Sequence, residues 1–142
     1  SRALAGMRIG YAIGSEKLIN PLKAVKFSYN SYTMGQTSIY AGAAAIKDDK
    51  YFKEIVSKIK NTRENAKKRL AQLGFSFTDS KTNFLFATHE SVPAEKIFEE
   101  LKKRKIYVRY FKKPRIDNYL RITIGTDDEM EQLYKALKEI IG

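Results

Sequence analysis

The sequence predicts an α/β chain that ends in an α+β unit, and three observations carry that prediction. Apolar residues at helical spacing run unbroken through the middle of the chain, four strand-like runs follow, and two amphipathic helical stretches interleave with those runs. With 142 residues, 43% of them hydrophobic and 30% charged, the chain has the composition of a folded domain and not of a disordered one. Its length excludes two full-sized domains.

The elements follow in order. Gly6, Gly10 and Gly14 punctuate the first residues, and Ile9, Tyr11 and Ile13 alternate around and after Gly10, which predicts a short strand bounded by turns. Ser15 offers a helix N-cap ahead of Leu18, Leu22 and Val25, with Pro21 predicting a short or kinked helix. The small-residue stretch from Gly35 to Ile46 predicts a helix packed tightly on another surface. From Asp49 to Leu73, the positions Phe52, Ile55, Val56, Ile59, Ala66, Leu70 and Leu73 keep helical spacing, and Gly74 supplies a left-handed stop. A helix of that length, roughly 35 Å at ~1.5 Å per residue, is expected to link two bodies.

Strand-like runs come next at 75–78, 83–88, 106–110 and 119–124. A helix is predicted after Pro93, with Ile97, Phe98 and Leu101 on one face and Lys102–Lys105 closing its C-terminal end, where cations favour the dipole. Thr126 and Glu129 have the spacing of a capping box, and Met130, Leu133, Leu137 and Ile140 form the buried stripe of the last helix.

Composition excludes several functions. Zero cysteines removes disulfides, thiolate metal sites and a Cys nucleophile, and the single His89 removes multi-histidine metal sites. His89 follows a strand end and is expected to be a half-exposed loop residue with no catalytic role. No apolar run spans a bilayer, so no membrane partner and a cytoplasmic location are expected. The net charge of +11 raises an anionic partner, nucleic acid included. The basic runs nevertheless fall on predicted helix faces and ends, and no ribonucleoprotein signature accompanies them, so nucleic acid is not expected.

Strand parity singles out two arginines. In residues 119–124, Leu120, Ile122 and Ile124 share one face and Arg121 the other; in 106–110, Ile106, Val108 and Tyr110 lie opposite Tyr107 and Arg109. Should both runs join one sheet, two guanidinium forks would share the face opposite the core, an arrangement suited to binding carboxylate or phosphate. The alternative is an arginine on each strand bonded to local carboxylates or water. Arg8, between Gly6 and Gly10, stands where backbone or a phosphate can approach closely. No P-loop, nucleophile elbow or dinucleotide fingerprint is present.

Taken together, Ser1-Arg-Ala-Leu-Ala-Gly-Met-Arg-Ile-Gly-Tyr-Ala-Ile-Gly14, Asn83-Phe84 and Leu120-Arg-Ile-Thr-Ile-Gly-Thr126 resemble the C-terminal part of a fold-type I pyridoxal-phosphate-dependent aminotransferase. The branch it most resembles is that of the histidinol-phosphate aminotransferases. The resemblance implies the end of a large cofactor-binding domain over residues 1–48, a connecting helix over 49–74, and a small C-terminal domain with an antiparallel sheet over 75–142. It implies that the lysine forming the Schiff base immediately precedes Ser1, so no catalytic residue is expected within the chain and these residues alone are expected to be inactive and not to hold pyridoxal 5'-phosphate. It assigns Arg8 to the cofactor phosphate, Arg109 and Arg121 to the anionic end of a small amino or keto substrate, and Asn83 to a structural hydrogen bond at the domain junction. A homodimer is implied for the complete protein. An aromatic aminotransferase or a phospho-amino-acid decarboxylase of the same fold, and a non-catalytic basic binding module, are the alternatives.

Overall fold

The computed structural model describes residues 2–142. The chain forms two compact units, Ser1–Glu54 and Ile55–Gly142, and the divide falls inside the long helix.

In the first unit a single 3-10 turn, Ala5–Met7, precedes helices α1 (Glu16–Tyr29) and α2 (Gln36–Lys47). The strand expected over Ile9–Ile13 does not form, because no neighbouring strand offers a ladder and an isolated strand leaves its backbone groups unpaired. Helix α1 is not short: it continues through Pro21 for 14 residues, and the Ser15 hydroxyl does not cap it. Nor is α2 tightly covered, since none of residues 2–54 is buried. At Gly42 a Cβ would lie 2.8 Å from Ile9 Cδ1, so a larger residue in that turn of α2 requires the end of the Ile9 side chain to move. The apolar stripe Leu18, Leu22 and Val25 of α1 is exposed.

Helix α3 (Asp49–Gln72) begins at Asp48, whose Oδ1 accepts from Tyr51 N–H, and stops at Gly74, which takes φ +80°. Its second half enters the core of the other unit through Ala66 and Leu70, both fully buried. That unit holds β1 (Phe75–Phe77), β2 (Phe84–His89), α4 (Ala94–Lys103), β3 (Arg109–Tyr110), β4 (Leu120–Thr123) and α5 (Asp127–Ile141). The four strands make one antiparallel sheet in the order β1-β2-β4-β3.

Alternation decides which face of the sheet is covered. Leu85 and Ala87 of β2 and Leu120 and Ile122 of β4 point into one core with Ile97 and Leu101 of α4 and Met130, Leu133 and Leu137 of α5. Burying a side chain of this size contributes about 1.5–3 kcal/mol, so these residues carry most of the unit's stability. The capping box of α5 forms as expected: Thr126 Oγ1 accepts from Glu129 N–H, and the Glu129 carboxylate accepts from Thr126 N–H at 2.7 Å.

Two further expectations change. The run 106–110 yields only a two-residue strand because its first part is consumed in ending α4. Ile106 N–H donates to Leu101 O and Lys105 N–H to Lys102 O, a Schellman closure in which Lys105 takes the left-handed φ of +60° that glycine usually occupies. His89 is not a half-exposed loop residue; it ends β2 on the core side and is only 5% exposed. Its Nδ1 accepts from Ser91 and Val92 N–H (3.2 and 3.0 Å) and its Nε2–H donates to Leu73 O (2.9 Å). The ring therefore ties the end of β2 to the end of α3, and this work uses both nitrogens.

Candidate functional site

The face of the sheet opposite the core carries Phe84, Phe86 and Thr88 from β2, Arg121 and Thr123 from β4, and Arg109 from β3, by the same alternation that buries their neighbours. Arg109 and Arg121 are register partners, directly opposite one another on paired strands. Like charges in that relation are destabilising by roughly 0.2–1 kcal/mol, so the pairing is a cost to the fold unless an anion offsets it.

The surroundings of the two guanidinium groups sharpen the point. Arg63, Arg69 and Arg104 each pair with a carboxylate: Glu64, Glu131 and Glu100. Among the described residues no carboxylate and no hydrogen-bond acceptor engages Arg109 or Arg121, so local carboxylates do not account for them. Arg121 Nε is screened from solvent and has no partner, a condition that costs about 1–3 kcal/mol. What surrounds them is aromatic. Arg121 Cζ lies 5.4 Å from the Phe84 ring centroid and 5.9 Å from that of Phe111, and Arg109 Cζ lies 5.4 Å from the same Phe111 ring. Phe86 stacks on Tyr119 at 4.7 Å and meets Phe111 edge-on at 6.3 Å. A ring attracts a guanidinium without taking up its N–H groups as a carboxylate does, so among the described residues both forks are left without an acceptor.

The loop before β2 is anchored firmly. Arg63, 6% exposed, donates to Thr82 O at 3.0 Å, and Lys67 joins Glu64 to Asp79 at 3.0 and 2.6 Å. The hydrogen bond from Lys67, followed by that from Lys81, holds the Asp79 carboxyl down at about 2. Ser80 Oγ donates to Phe84 O at 2.7 Å, which fixes the start of the strand whose first side chain lies against Arg121. Asn83 contributes through its backbone carbonyl, which accepts from Ile124 N–H at 2.9 Å.

Arg8 belongs to the other unit. It follows the 3-10 turn in left-handed geometry, φ 56° and ψ 34°, with its N–H donating to Ala5 O. The residue is exposed, and among the described residues nothing engages its guanidinium. A Cβ at Gly6 or Gly10 would meet nothing within 4 Å, so the backbone on both sides of Arg8 is open. A left-handed non-glycine residue costs about 1–2 kcal/mol, and here it projects a free cation from bare backbone. A hollow of this unit, about 590 Å³ and lined by apolar residues such as Leu4, Ile9, Met34 and Ile39, does not include Arg8.

Of the three arginines singled out in the sequence, the structure thus brings two together. The aromatic residues around them, Phe84 and Phe111 above all, were not among the site residues that the sequence singled out. The available signal was parity: Phe111 lies two residues beyond Arg109 and shares its face. Among the described residues there is no cluster of three or more metal-ligating side chains, and no helix is long and apolar enough to cross a membrane.

Comparison with known proteins bears on this geometry. The chain is 52% identical over 141 residues to the histidinol-phosphate aminotransferase of Brachyspira hyodysenteriae, covering 99% of the chain and 40% of that protein. It is 51% identical over 142 residues to that of Clostridium acetobutylicum, again covering 40% of the relative. The chain therefore spans about two-fifths of the length of these curated relatives. Among solved structures, one of a histidinol-phosphate aminotransferase from Clostridium acetobutylicum, at 25% identity to this chain, superposes with a TM-score of 0.87 over 98% of this chain and 42% of that one. The enzyme from Sinorhizobium meliloti in complex with pyridoxal-5'-phosphate does so with a TM-score of 0.81 at 29% identity, over 97% and 38%. The family of class I and II aminotransferases matches residues 1–137, and the two relatives agree with it over nearly the whole chain. On these grounds the chain belongs to the class I and II aminotransferase family.

Proposed function

We propose that the chain is the C-terminal portion of a pyridoxal-phosphate-dependent histidinol-phosphate aminotransferase. That enzyme exchanges the amino group of histidinol phosphate for the keto oxygen of 2-oxoglutarate, giving imidazole-acetol phosphate and glutamate, in either direction. The observation that carries the reading is the opposed Arg109 and Arg121 pair, to which no described residue offers an acceptor and of which Arg121 Nε is buried without a partner. The names and identities of the relatives support it. In this reading residues 1–48 end the large domain, 49–74 connect, and 75–142 form the small domain. The complete protein is a cytoplasmic homodimer, and the uncovered apolar stripe of α1 supports further polypeptide over the first unit.

The residues present fit a phosphorylated cofactor. Arg8 offers a free guanidinium between open glycines, a donor set suited to the cofactor phosphate. When bound, pyridoxal phosphate supplies the electron sink for the amino-group exchange. This chain contributes grips. Arg109 and Arg121 bind the anionic end of the substrate, phosphate or carboxylate, through charge-assisted bonds of roughly 1.5–3 kcal/mol each, and so fix where its reacting carbon stands. An anion between the two cations also offsets their repulsion, so binding energy is drawn from an arrangement the empty fold holds at a cost.

The test is kinetic, on the complete polypeptide that this reading requires. Arg109→Gln and Arg121→Gln should each lower kcat/KM for histidinol phosphate by about tenfold or more. They should have much less effect on a competing substrate without a phosphate if the pair binds that group. Unchanged kinetics in both variants would sink the assignment, and losses confined to the half-reaction with glutamate or 2-oxoglutarate would move the pair to a carboxylate.

A further inference from the structure

Phe111 stands where a carboxylate would be expected. Two cations face each other across β3 and β4, and the side chain lying over against both is a phenyl ring, at 5.4 Å from Arg109 Cζ and 5.9 Å from Arg121 Cζ. Strand geometry puts it there. It shares the outer face with Arg109 two residues earlier, and the Arg109↔Arg121 register carries it diagonally across from Arg121. The Phe86 ring, stacked in turn on Tyr119, holds it edge-on. The negative face of the ring attracts both guanidinium groups and so opposes their repulsion, yet it accepts none of their N–H groups. An aspartate or glutamate in the same place would fill the forks from within and close them to any ligand.

We infer that Phe111 is a positioning residue: its ring sets the spacing and tilt of Arg109 and Arg121 and keeps their N–H edges open for an oxyanion. The inference deepens the reading of this pair as an anion grip and rests on it for its functional half. The positioning half can be read separately.

The experiment is arginine Nε–Hε NMR on the 142-residue chain, with inorganic phosphate as the probe, comparing wild type, Phe111→Leu and Phe111→Tyr. Cross-peaks are assigned by their loss in Arg109→Gln and Arg121→Gln, and core methyl dispersion shows that each variant is folded. Before phosphate is added, both Nε–Hε signals should be displaced by the ring current in wild type and in Phe111→Tyr, and should relax in Phe111→Leu. On titration, phosphate affinity should fall about three- to tenfold in Phe111→Leu and be retained in Phe111→Tyr. Signals and affinity unchanged in Phe111→Leu would overturn the inference. Ring-shifted signals that relax in Phe111→Leu, in a wild type that ignores phosphate, would uphold the positioning and overturn the anion-grip reading.

Discussion

Replacing Arg121 with methionine separates structure from function because its two effects should carry opposite signs. In the folded chain Arg121 Nε is screened from solvent without a partner, a deficit of about 1–3 kcal/mol. The Arg109 cation directly opposite adds about 0.2–1 kcal/mol of penalty. Against these stand two ring contacts, with Phe84 and Phe111, of about 0.5–1 kcal/mol each. Methionine keeps an unbranched stem, and its sulfur regains about 0.3–1.5 kcal/mol against the same rings. The balance is a variant as stable as the wild type, or more stable by about 1–2 kcal/mol. Phosphate binding should move the other way, losing one charge-assisted pair worth about 1.5–3 kcal/mol, roughly 10- to 150-fold in affinity. Urea denaturation followed by circular dichroism reads the first effect, and phosphate titration on the same samples reads the second. A variant destabilised by more than about 1 kcal/mol with unchanged phosphate affinity would refute the reasoning and make Arg121 a structural residue.

Two further outcomes test the scaffold that holds the site. Lys105→Gly should stabilise the chain by about 1 kcal/mol, since lysine pays a steric penalty at φ +60° in the closure of α4 and glycine does not; an unchanged or lower urea midpoint would count against that closure. Asp79, held at about 2 by Lys67 and then Lys81, has a folded value below its ordinary 3.8, so its contribution is full above 3.8 and is lost as pH falls toward 2. Urea midpoints measured across that acid range should therefore fall more steeply for wild type than for Asp79→Asn, and parallel profiles would show that the Lys67 pair adds nothing net.

The elements most legible in the sequence were those with a local cause. The long periodic stripe of α3, the left-handed stop at Gly74 and the capping box of Thr126 and Glu129 depend on residues close in the chain, and each appears where its spacing predicts. Strand alternation placed Leu120, Ile122 and Ile124 inside and Arg121 outside, as observed. Two of the expectations that failed depended on neighbours distant in sequence, whereas the Ser15 cap and the full strand over 106–110 failed for local reasons. Residues 9–13 alternate like a strand but have no ladder to join, and His89 reads as a loop residue until the ends of α3 and β2 meet around it.

The sequence by itself determined the family, the helices and the face on which each arginine lies, because periodicity and short motifs are local properties of a chain. Only the tertiary structure decided that Arg109 and Arg121 are register partners, that no carboxylate among the described residues answers them, and that Phe111 lies against both. Those facts depend on strand pairing across the turn between β3 and β4 and on the strand order β2-β4-β3. Pairing of that kind is set by core packing on the opposite face of the sheet, which no run of neighbouring residues encodes.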